Sequence, residues 1–207
     1  MGMDVYGLNP KRNTAKPEIL TEYLDDEGWT DWERLKRNNT VNEEGEEVMS
    51  EEYEAYWEAH HQWEEDNPGR YFRNNVWWWR PLWNYVCFIC DDILDEEDQN
   101  NGHGNGGHQI NEKKAEVIAS RLNLYIENGE AENFAKERQA ALDAEPDEDC
   151  ELCNATGERD DEHVKGKCNG CQGKGTRRPW NNNYPFDIDN LKEFAKFCEQ
   201  SGGFEIC

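Results

Sequence analysis

The chain has 207 residues and a formal net charge of −24, from 46 acidic residues against 22 lysines and arginines. A surface of this sign repels DNA, RNA and anionic lipid at long range and attracts basic proteins. No apolar stretch is long enough to cross a bilayer, and no signal peptide is visible, so we expect a cytoplasmic protein without a membrane segment. Aromatic residues make up 12% of the chain, which argues against global disorder.

The N-terminal part of the chain predicts two strands and two helices before a third helix begins. Alternation of apolar residues predicts a strand at 3–6, and helical spacing predicts a helix at 17–26. A helix with an aromatic face is predicted from a Ser50 N-cap to about residue 66. The tryptophan-rich stretch 70–79 is predicted to be a strand, after which Pro81 suits the first turn of a helix.

The C-terminal part is predicted to be mostly helical. A helix at 82–94 is apolar nearly all round, which is typical of a central helix. Residues 99–109 are expected to form a flexible loop rich in glycine and asparagine. Caps and apolar spacing then predict helices at 111–126 and 130–144, a last helix capped by Asp187 or Asp189, and a terminal strand at 204–207.

The predicted strands lie near both ends and in the middle of the chain, and they could share one small sheet. The fold class predicted is therefore α+β, mainly helical. We expect a compact, acidic, tryptophan-rich main domain, with its helices and small sheet, from residues 1–148 and 179–207. An inserted zinc-knuckle module of four cysteines would occupy residues 149–178.

Two Cys-x-x-Cys repeats, Cys150–Cys153 and Cys168–Cys171, carry the clearest chemical signal. Each repeat places two thiolates on one tight loop, and two such loops supply a tetrahedral set for zinc. The spacing is close to the usual two-knuckle pattern. Because four thiolates leave no position for a catalytic water, the zinc is expected to be structural. The sequence suggests no catalytic residue, and an enzyme is the less expected class.

The second repeat continues as Cys-Asn-Gly-Cys-Gln-Gly-Lys-Gly over residues 168–175. It resembles the Cys-x-x-Cys-x-Gly-x-Gly repeats of DnaJ-type chaperones, and residues 150–157 depart from that pattern at Ala155. That family carries four repeats and a His-Pro-Asp signature, whereas this chain has two repeats and lacks the signature. The resemblance implies the knuckle geometry with one zinc, without implying co-chaperone activity.

The other four cysteines are candidates for a second four-thiolate site, if the terminal strand docks beside the central helix: Cys87, Cys90, Cys198 and Cys207. The alternative is that they are core cysteines, because Cys87 and Cys198 lie among apolar neighbours. A redox pair at Cys87 and Cys90 is less expected, because no strand precedes it as in thioredoxin-like motifs.

Polar residues among the tryptophans could line a pocket for a small ligand: Arg73, Asn74, Asn75, Trp78 and Arg80. Guanidinium groups stack on indole rings, and asparagine side chains can hold a polar ligand. The alternative is a rigid corner of the core in which the arginines pair with carboxylates. The loop Gly102–His108 lacks the Lys-Ser/Thr of a phosphate-binding loop and is expected to be a surface loop.

Cations are concentrated between His163 and Phe186, a stretch that holds no acidic residue until Asp187: Lys165, Lys167, Lys174, Arg177 and Arg178. With Trp180 and Tyr184 they could contact nucleic acid. The alternative, favoured in so acidic a chain, is that they offset the negative charge of a zinc ion bound to four thiolates.

Three segments resemble an uncharacterised family of phage and bacterial proteins: the start Met1–Gly7, the block Tyr71–Leu82 and the ending Ser201–Ile206. The resemblance implies a phage or prophage setting, hence a host cytoplasm, and implies no reaction. Taken together, the sequence predicts a zinc-stabilised acidic protein that binds a basic host protein, as DNA-mimicking phage inhibitors do. The alternatives are an enzyme or ligand binder at residues 73–80 and a nucleic-acid binder at 163–186.

Overall fold

The computed structural model describes residues 2–18, 40–41, 45, 47–48 and 51–207. The predicted helix at 17–26 lies largely outside these residues, and Ser50 lies outside them. The described elements are, in chain order, β1 (Gly2–Gly7), β2 (Thr40–Val41), β3 (Glu47–Val48), α1 (Glu51–Asp66), β4 (Tyr71–Asn75), α2 (Val76–Ile89), α3 (Glu96–Asn101), β5 (His108–Ile110), α4 (Glu112–Glu127), α5 (Glu130–Ala144), β6 (Glu148–Asp149), β7 (Glu158–Asp160), β8 (Lys165–Lys167), β9 (Thr176–Arg177), a 3₁₀ turn (Trp180–Asn183), α6 (Ile188–Ser201) and β10 (Phe204–Ile206).

One antiparallel sheet joins the two ends of the described chain, in the order β4-β1-β10-β5. Val5 of β1 stands opposite Phe72 of β4 on one side and Ile206 of β10 on the other. All three side chains are buried, so this face of the sheet closes the core. The α+β, mainly helical fold is confirmed. The fourth strand, β5, is a correction, because its first residues were expected to belong to a loop.

The boundary between β4 and α2 differs from the prediction, because the three tryptophans belong to the helix. Asn75 ends the strand and caps α2, and its Oδ1 accepts hydrogen bonds from the backbone N–H of Trp77 and Trp78 at 3.0 and 3.1 Å. This cap satisfies donors that the first turn would otherwise leave unpaired. Pro81 lies inside the helix, so α2 does not begin there.

The helical register of α2 places Trp79 and Trp83 one turn apart on its buried face. Their rings stack at 5.6 Å between centroids. Each indole also has a hydrogen-bond partner: Trp79 donates to the carbonyl of Gly102 at 2.8 Å, and Trp83 donates to the carbonyl of Gln99 at 3.1 Å. The core around them is completed by apolar side chains of α4 and α6, which are Ala115, Ile118, Leu122, Leu191, Phe194 and Phe197.

The region between α5 and α6 has a buried cluster of its own, which contains only four cysteines. Two short antiparallel strand pairs frame it, one of β6 with β9 and the other of β7 with β8. A buried cluster this small is typical of regions that a bound metal stabilises.

Candidate metal centre

The four cysteines of the two Cys-x-x-Cys repeats meet in one buried cluster. The Sγ atoms of Cys150, Cys153, Cys168 and Cys171 all lie within 4.8 Å of one another. Cys150 and Cys168 are 3.9 Å apart at sulfur, and Cys153 and Cys171 are 3.7 Å apart. A tetrahedral zinc site with Zn–S bonds of about 2.3 Å has sulfur–sulfur edges of about 3.8 Å. The cluster therefore has the spacing of a closed four-thiolate site, and all eight cysteines of the chain are free of disulfides.

The two loops are repeats of each other in backbone geometry, with a constant offset of 18 residues. Within each loop the residue two positions after the second cysteine donates its N–H to the first cysteine's carbonyl: Ala155 to Cys150 at 3.1 Å, and Gly173 to Cys168 at 3.2 Å. Between loops the bonds are exchanged, because Cys150 donates to Gly175 at 2.8 Å and Cys168 donates to Gly157 at 2.9 Å. The result is a pseudo-twofold pair that holds the four sulfurs together.

Positive φ angles recur at matching positions of the two loops, and this explains the glycines of the motif. Gly157 and Gly175 have φ values of 77° and 82°. A Cβ on Gly157 would lie 2.6 Å from the carbonyl oxygen of Gly173, and one on Gly175 would overlap the carbonyl of Ala155. Ala155, the departure from the DnaJ-type pattern, adopts φ 63° all the same. The two loops therefore share one pattern of positive φ angles.

Backbone amides and burial act in opposite directions on the thiols of the cluster. The N–H groups of Gly157 and Gly175 each donate to a sulfur at 3.3 Å, that of Cys153 and that of Cys171 respectively. Burial raises the pKa of Cys153 to about 11. At Cys171 burial acts the same way, but hydrogen bonds from Gly175 and from neighbouring thiols outweigh it and lower the pKa to about 6. The amide hydrogen bonds of Gly157 and Gly175 thus favour the thiolate of the sulfur that each contacts, and the thiolate is the form that binds a divalent cation.

The predicted basic residues of the module mostly face acidic groups of the same region. Lys165 and Lys167 stand opposite Asp160 and Glu158 across the β7–β8 pair. Arg177 lies 3.7 Å from Glu151, and Arg178 lies 3.3 Å from Asp147 while donating to the carbonyl of Glu145 at 2.7 Å. Lys174 is exposed, with no ion-pair partner among the described residues. Arg177 and Arg178 are therefore engaged with carboxylates, whereas the exposed lysines Lys165, Lys167 and Lys174 have no ion pair among the described residues.

The second predicted thiol set is not assembled. Within the described residues, the four knuckle cysteines form the only group of three or more His, Cys, Asp or Glu side chains gathered around a point. Cys207 is held at the sheet by reciprocal backbone hydrogen bonds with Asp4 at 2.8 and 2.7 Å, whereas Cys90 and Cys198 are buried in the helical core. Burial raises the pKa of Cys87 to about 12 and of Cys90 to about 11, as expected for core thiols.

The predicted ligand pocket is divided between two places. Arg73, Asn74 and Asn75 line a shallow depression with Gly2. Both asparagines already have partners, because Asn75 caps α2 and Asn74 donates to Asn190 at 2.9 Å.

Arg80 and Trp78 do not line that depression. Arg80 donates to the hydroxyl of Tyr184 at 2.8 Å, with its guanidinium 5.6 Å from the centre of the Tyr184 ring. Trp78 is partly exposed on α2. The tryptophan-rich segment therefore serves the start of α2 more than a single pocket.

The glycine- and histidine-rich loop 102–108 contributes to packing and to a buried polar cluster. A Cβ on Gly102 would overlap the indole of Trp83. His108 Nε2 lies 2.9 Å from Asp98, which is 4% exposed and also accepts a hydrogen bond from Lys114. No local motif indicates this Asp98–His108–Lys114 cluster in the sequence. The one local signal was the capping box formed by Asp95 and Asp98 at the start of α3.

No family model matches the chain, and neither a curated protein nor a solved structure matches it. Among the helices of the described part of the chain, none combines the length and apolarity needed to cross a membrane. The functional assignment therefore depends on the four-cysteine cluster and on the distribution of charge.

Proposed function

We propose that this is a zinc-stabilised, strongly acidic protein whose metal centre is structural and whose surface binds a basic protein of the host cytoplasm, in a phage setting. The observation that carries the proposal is that the net negative charge lies outside the segment that holds the four-cysteine cluster. Residues 149–178 hold six acidic and six basic side chains, so the net charge of −24 lies wholly on the rest of the chain. Four buried cysteines leave no open ligand position, which favours a role in stability over catalysis.

A groove beside the module supports a site for a basic side chain of the partner. It is lined by Glu145, Asp147 and Glu148 together with Trp180, whose side chain is 56% exposed. Trp180 packs edge-on against Trp77 at 5.3 Å, so its ring is held in place. Asp147 pairs with Arg178 and Glu145 accepts from Asn181, so Glu148 and the indole ring are the groups that suit an incoming lysine or arginine, through charge and cation–π contact.

The test is capture of partners from host lysate by the full-length, zinc-loaded protein at low and moderate salt. We expect a specific basic protein to be retained by the wild type and lost with Trp180→Ala. The matched control is Phe88→Ala, because Phe88 is an exposed aromatic residue, 70% accessible, outside the groove. Recovery of no specific basic protein, or equal loss in both variants, would contradict the proposal.

The two alternative functions have weaker support. The division of residues 73–80 between a helix cap, a shallow depression and a contact with Tyr184 argues against one ligand pocket there. Arg177 and Arg178 pair with Glu151 and Asp147, which leaves Lys165, Lys167 and Lys174 as the cations that the module could offer to nucleic acid. A complex of the module with nucleic acid would weaken steeply as salt rises. Salt dependence separates this function from binding of a basic protein only after the partner has been identified.

A further inference from the structure

The C-terminal end of α1 carries a basic depression of about 520 Å³, which we define by Arg12, Lys16, Arg70 and Trp63. Asn13, Thr14, Ala15 and Asn67 are its other described lining residues, so no carboxylate of the described part of the chain contributes to it. In a chain with 46 acidic residues against 22 basic ones, three cations around one open depression stand out. Neither the zinc centre nor the acidic surface explains them.

A buried asparagine builds the wall of the basic depression. Asn67 is 2% exposed, and its Oδ1 accepts from the backbone N–H of Asn13 at 2.9 Å. Its Nδ2 donates to Thr14 Oγ1 at 2.8 Å and to the carbonyl of Trp63 at 2.7 Å. The segment that carries Arg12 and Lys16 is therefore fixed against the end of α1 before any ligand arrives, which lowers the entropy cost of binding.

Two of the three cations, Arg70 and Lys16, lie over the indole ring of Trp63. The Arg70 guanidinium lies 4.1 Å from the centre of its ring, and Lys16 Nζ lies 5.7 Å from it. Trp63 itself is 7% exposed, so it acts as a wall that the cations cover. Cation–π contact of this kind holds a guanidinium in place while leaving its N–H donors free for another partner.

The positive charge of the basic depression is not neutralised within the described residues. Arg12, Lys16 and Arg70 form no ion pair with any carboxylate there. Burial lowers the pKa of Arg70 and the charge of Arg12 lowers it further, while Glu64 acts in the opposite direction. An anion in the depression would relieve the repulsion between the two arginines.

We propose that the basic depression binds a small molecule bearing a diphosphate or triphosphate group, with Arg12, Lys16 and Arg70 as its charged contacts. Arginine forks and a lysine ammonium are the side chains that bind phosphate oxygens best, and three of them match a multiply charged group. The shared chemistry is the polyphosphate, which inorganic pyrophosphate and nucleotides both offer. The site is independent of the proposed partner surface.

The experiment is isothermal titration of the full-length, zinc-loaded protein with pyrophosphate, with ATP and with orthophosphate, at low and moderate salt. We expect one site for pyrophosphate, ATP or both, weaker binding of orthophosphate, and a loss of affinity as salt rises. Affinity for ATP above that for pyrophosphate identifies a nucleotide as the class of ligand; equal affinities identify the polyphosphate alone.

The variants are Arg70→Gln and Lys16→Gln, each expected to weaken binding about tenfold or more, since each removes charge-assisted hydrogen bonds. The matched control is Lys113→Gln, an exposed lysine on α4 whose loss should leave binding unchanged. Thermal melting checks that each variant folds. If Arg70→Gln does not fold, Lys16→Gln decides, because Lys16 is exposed.

Three results would overturn the proposal. The first is no heat of binding with millimolar pyrophosphate or ATP at low salt. The second is equal weakening by Lys113→Gln and Lys16→Gln, which indicates diffuse attraction. The third is a short single-stranded oligonucleotide that binds more tightly than ATP and displaces it, which makes the basic depression part of a nucleic-acid surface.

Discussion

Ala155 occupies a position of left-handed backbone at which the second knuckle has a glycine. It adopts φ 63°, whereas its counterpart Gly173 adopts 82°. The left-handed conformation costs an L-residue about 1–2 kcal/mol, and glycine avoids that cost. Part of the gain is lost because glycine adds about 0.4–1 kcal/mol of conformational entropy to the unfolded chain.

We therefore expect Ala155→Gly to stabilise the zinc-loaded protein by up to about 1 kcal/mol, since relief of strain exceeds the added entropy. Chemical unfolding with saturating zinc, followed by a probe in the module, measures the change. A loss of stability would show that the Ala155 methyl group makes a favourable contact that outweighs its backbone strain.

Gly175 provides the opposite case, in which a side chain cannot be added. It combines φ 82° with a close approach to the backbone of Ala155. We expect Gly175→Ala to cost about 3 kcal/mol or more and to weaken zinc binding, because the overlap separates the two loops. Chelator competition measures the affinity. Gly166→Ala is the control: φ is 104° but the space is open, so only about 1–2 kcal/mol of strain is expected.

At the level of elements, the contact between α2 and the end of α3 depends on Gly102. Its carbonyl accepts from Trp79, and its Cα faces Trp83 without room for a methyl group. Gly102→Ala should lower the free energy of unfolding by about 3 kcal/mol, because the stacked tryptophans must move. Gly106→Ala, in the same loop and with open space, should change it by less than about 0.5 kcal/mol. Urea unfolding followed by tryptophan fluorescence compares the two.

The β4–α2 boundary shows where local pattern was insufficient. Residues 70–79 alternate well enough for a strand, yet Trp79 and Trp83 are also one helical turn apart. Both periods fit a short apolar run, and the choice depends on the Asn75 cap and on what each indole reaches in space. By contrast, the Asp187 cap of α6 was predictable, because its side chain accepts from Asn190 only three residues away.

For the whole molecule, the two buried clusters predict two separate responses to metal removal. The module's cluster consists of cysteines alone, whereas the main core contains the stacked tryptophans. A strong chelator should therefore unfold residues 149–178 and leave the main core folded.

Elemental analysis should first give one zinc per chain. Backbone amide exchange then follows each region, and Cys168→Ser should reproduce the effect without chelator. Loss of protection in α4 and α6 at the same time would contradict this separation.

Two histidines set a pH dependence of stability in the main part of the chain. Burial lowers the pKa of His60, with Lys16, His61 and Arg70 adding to the effect and Glu64 opposing it. Burial and then Arg80 lower the pKa of His103. The unfolded chain therefore binds more protons near pH 6, so stability should fall as pH decreases from about 7 through the unfolded value of about 6.5.

The measurement is urea unfolding of the zinc-loaded protein at pH 7.5 and pH 6.0. The double variant His60→Gln and His103→Gln should lose less stability on acidification than the wild type. An equal loss in both proteins would assign the pH dependence to other groups.

The sequence by itself determined the four-cysteine cluster, because the four cysteines lie in two local repeats whose spacing and glycines shape each loop. It also determined the Asn111 and Asp187 caps and the three strands that share a sheet. Only the tertiary structure decided the rest: the placement of Cys207 at the sheet and of Cys87, Cys90 and Cys198 in or against the helical core, the fourth strand, and the basic depression around Trp63. These features bring together residues that are far apart in the chain, such as Arg12 and Arg70. No local periodicity or spacing in the sequence predicts that such residues are close in space.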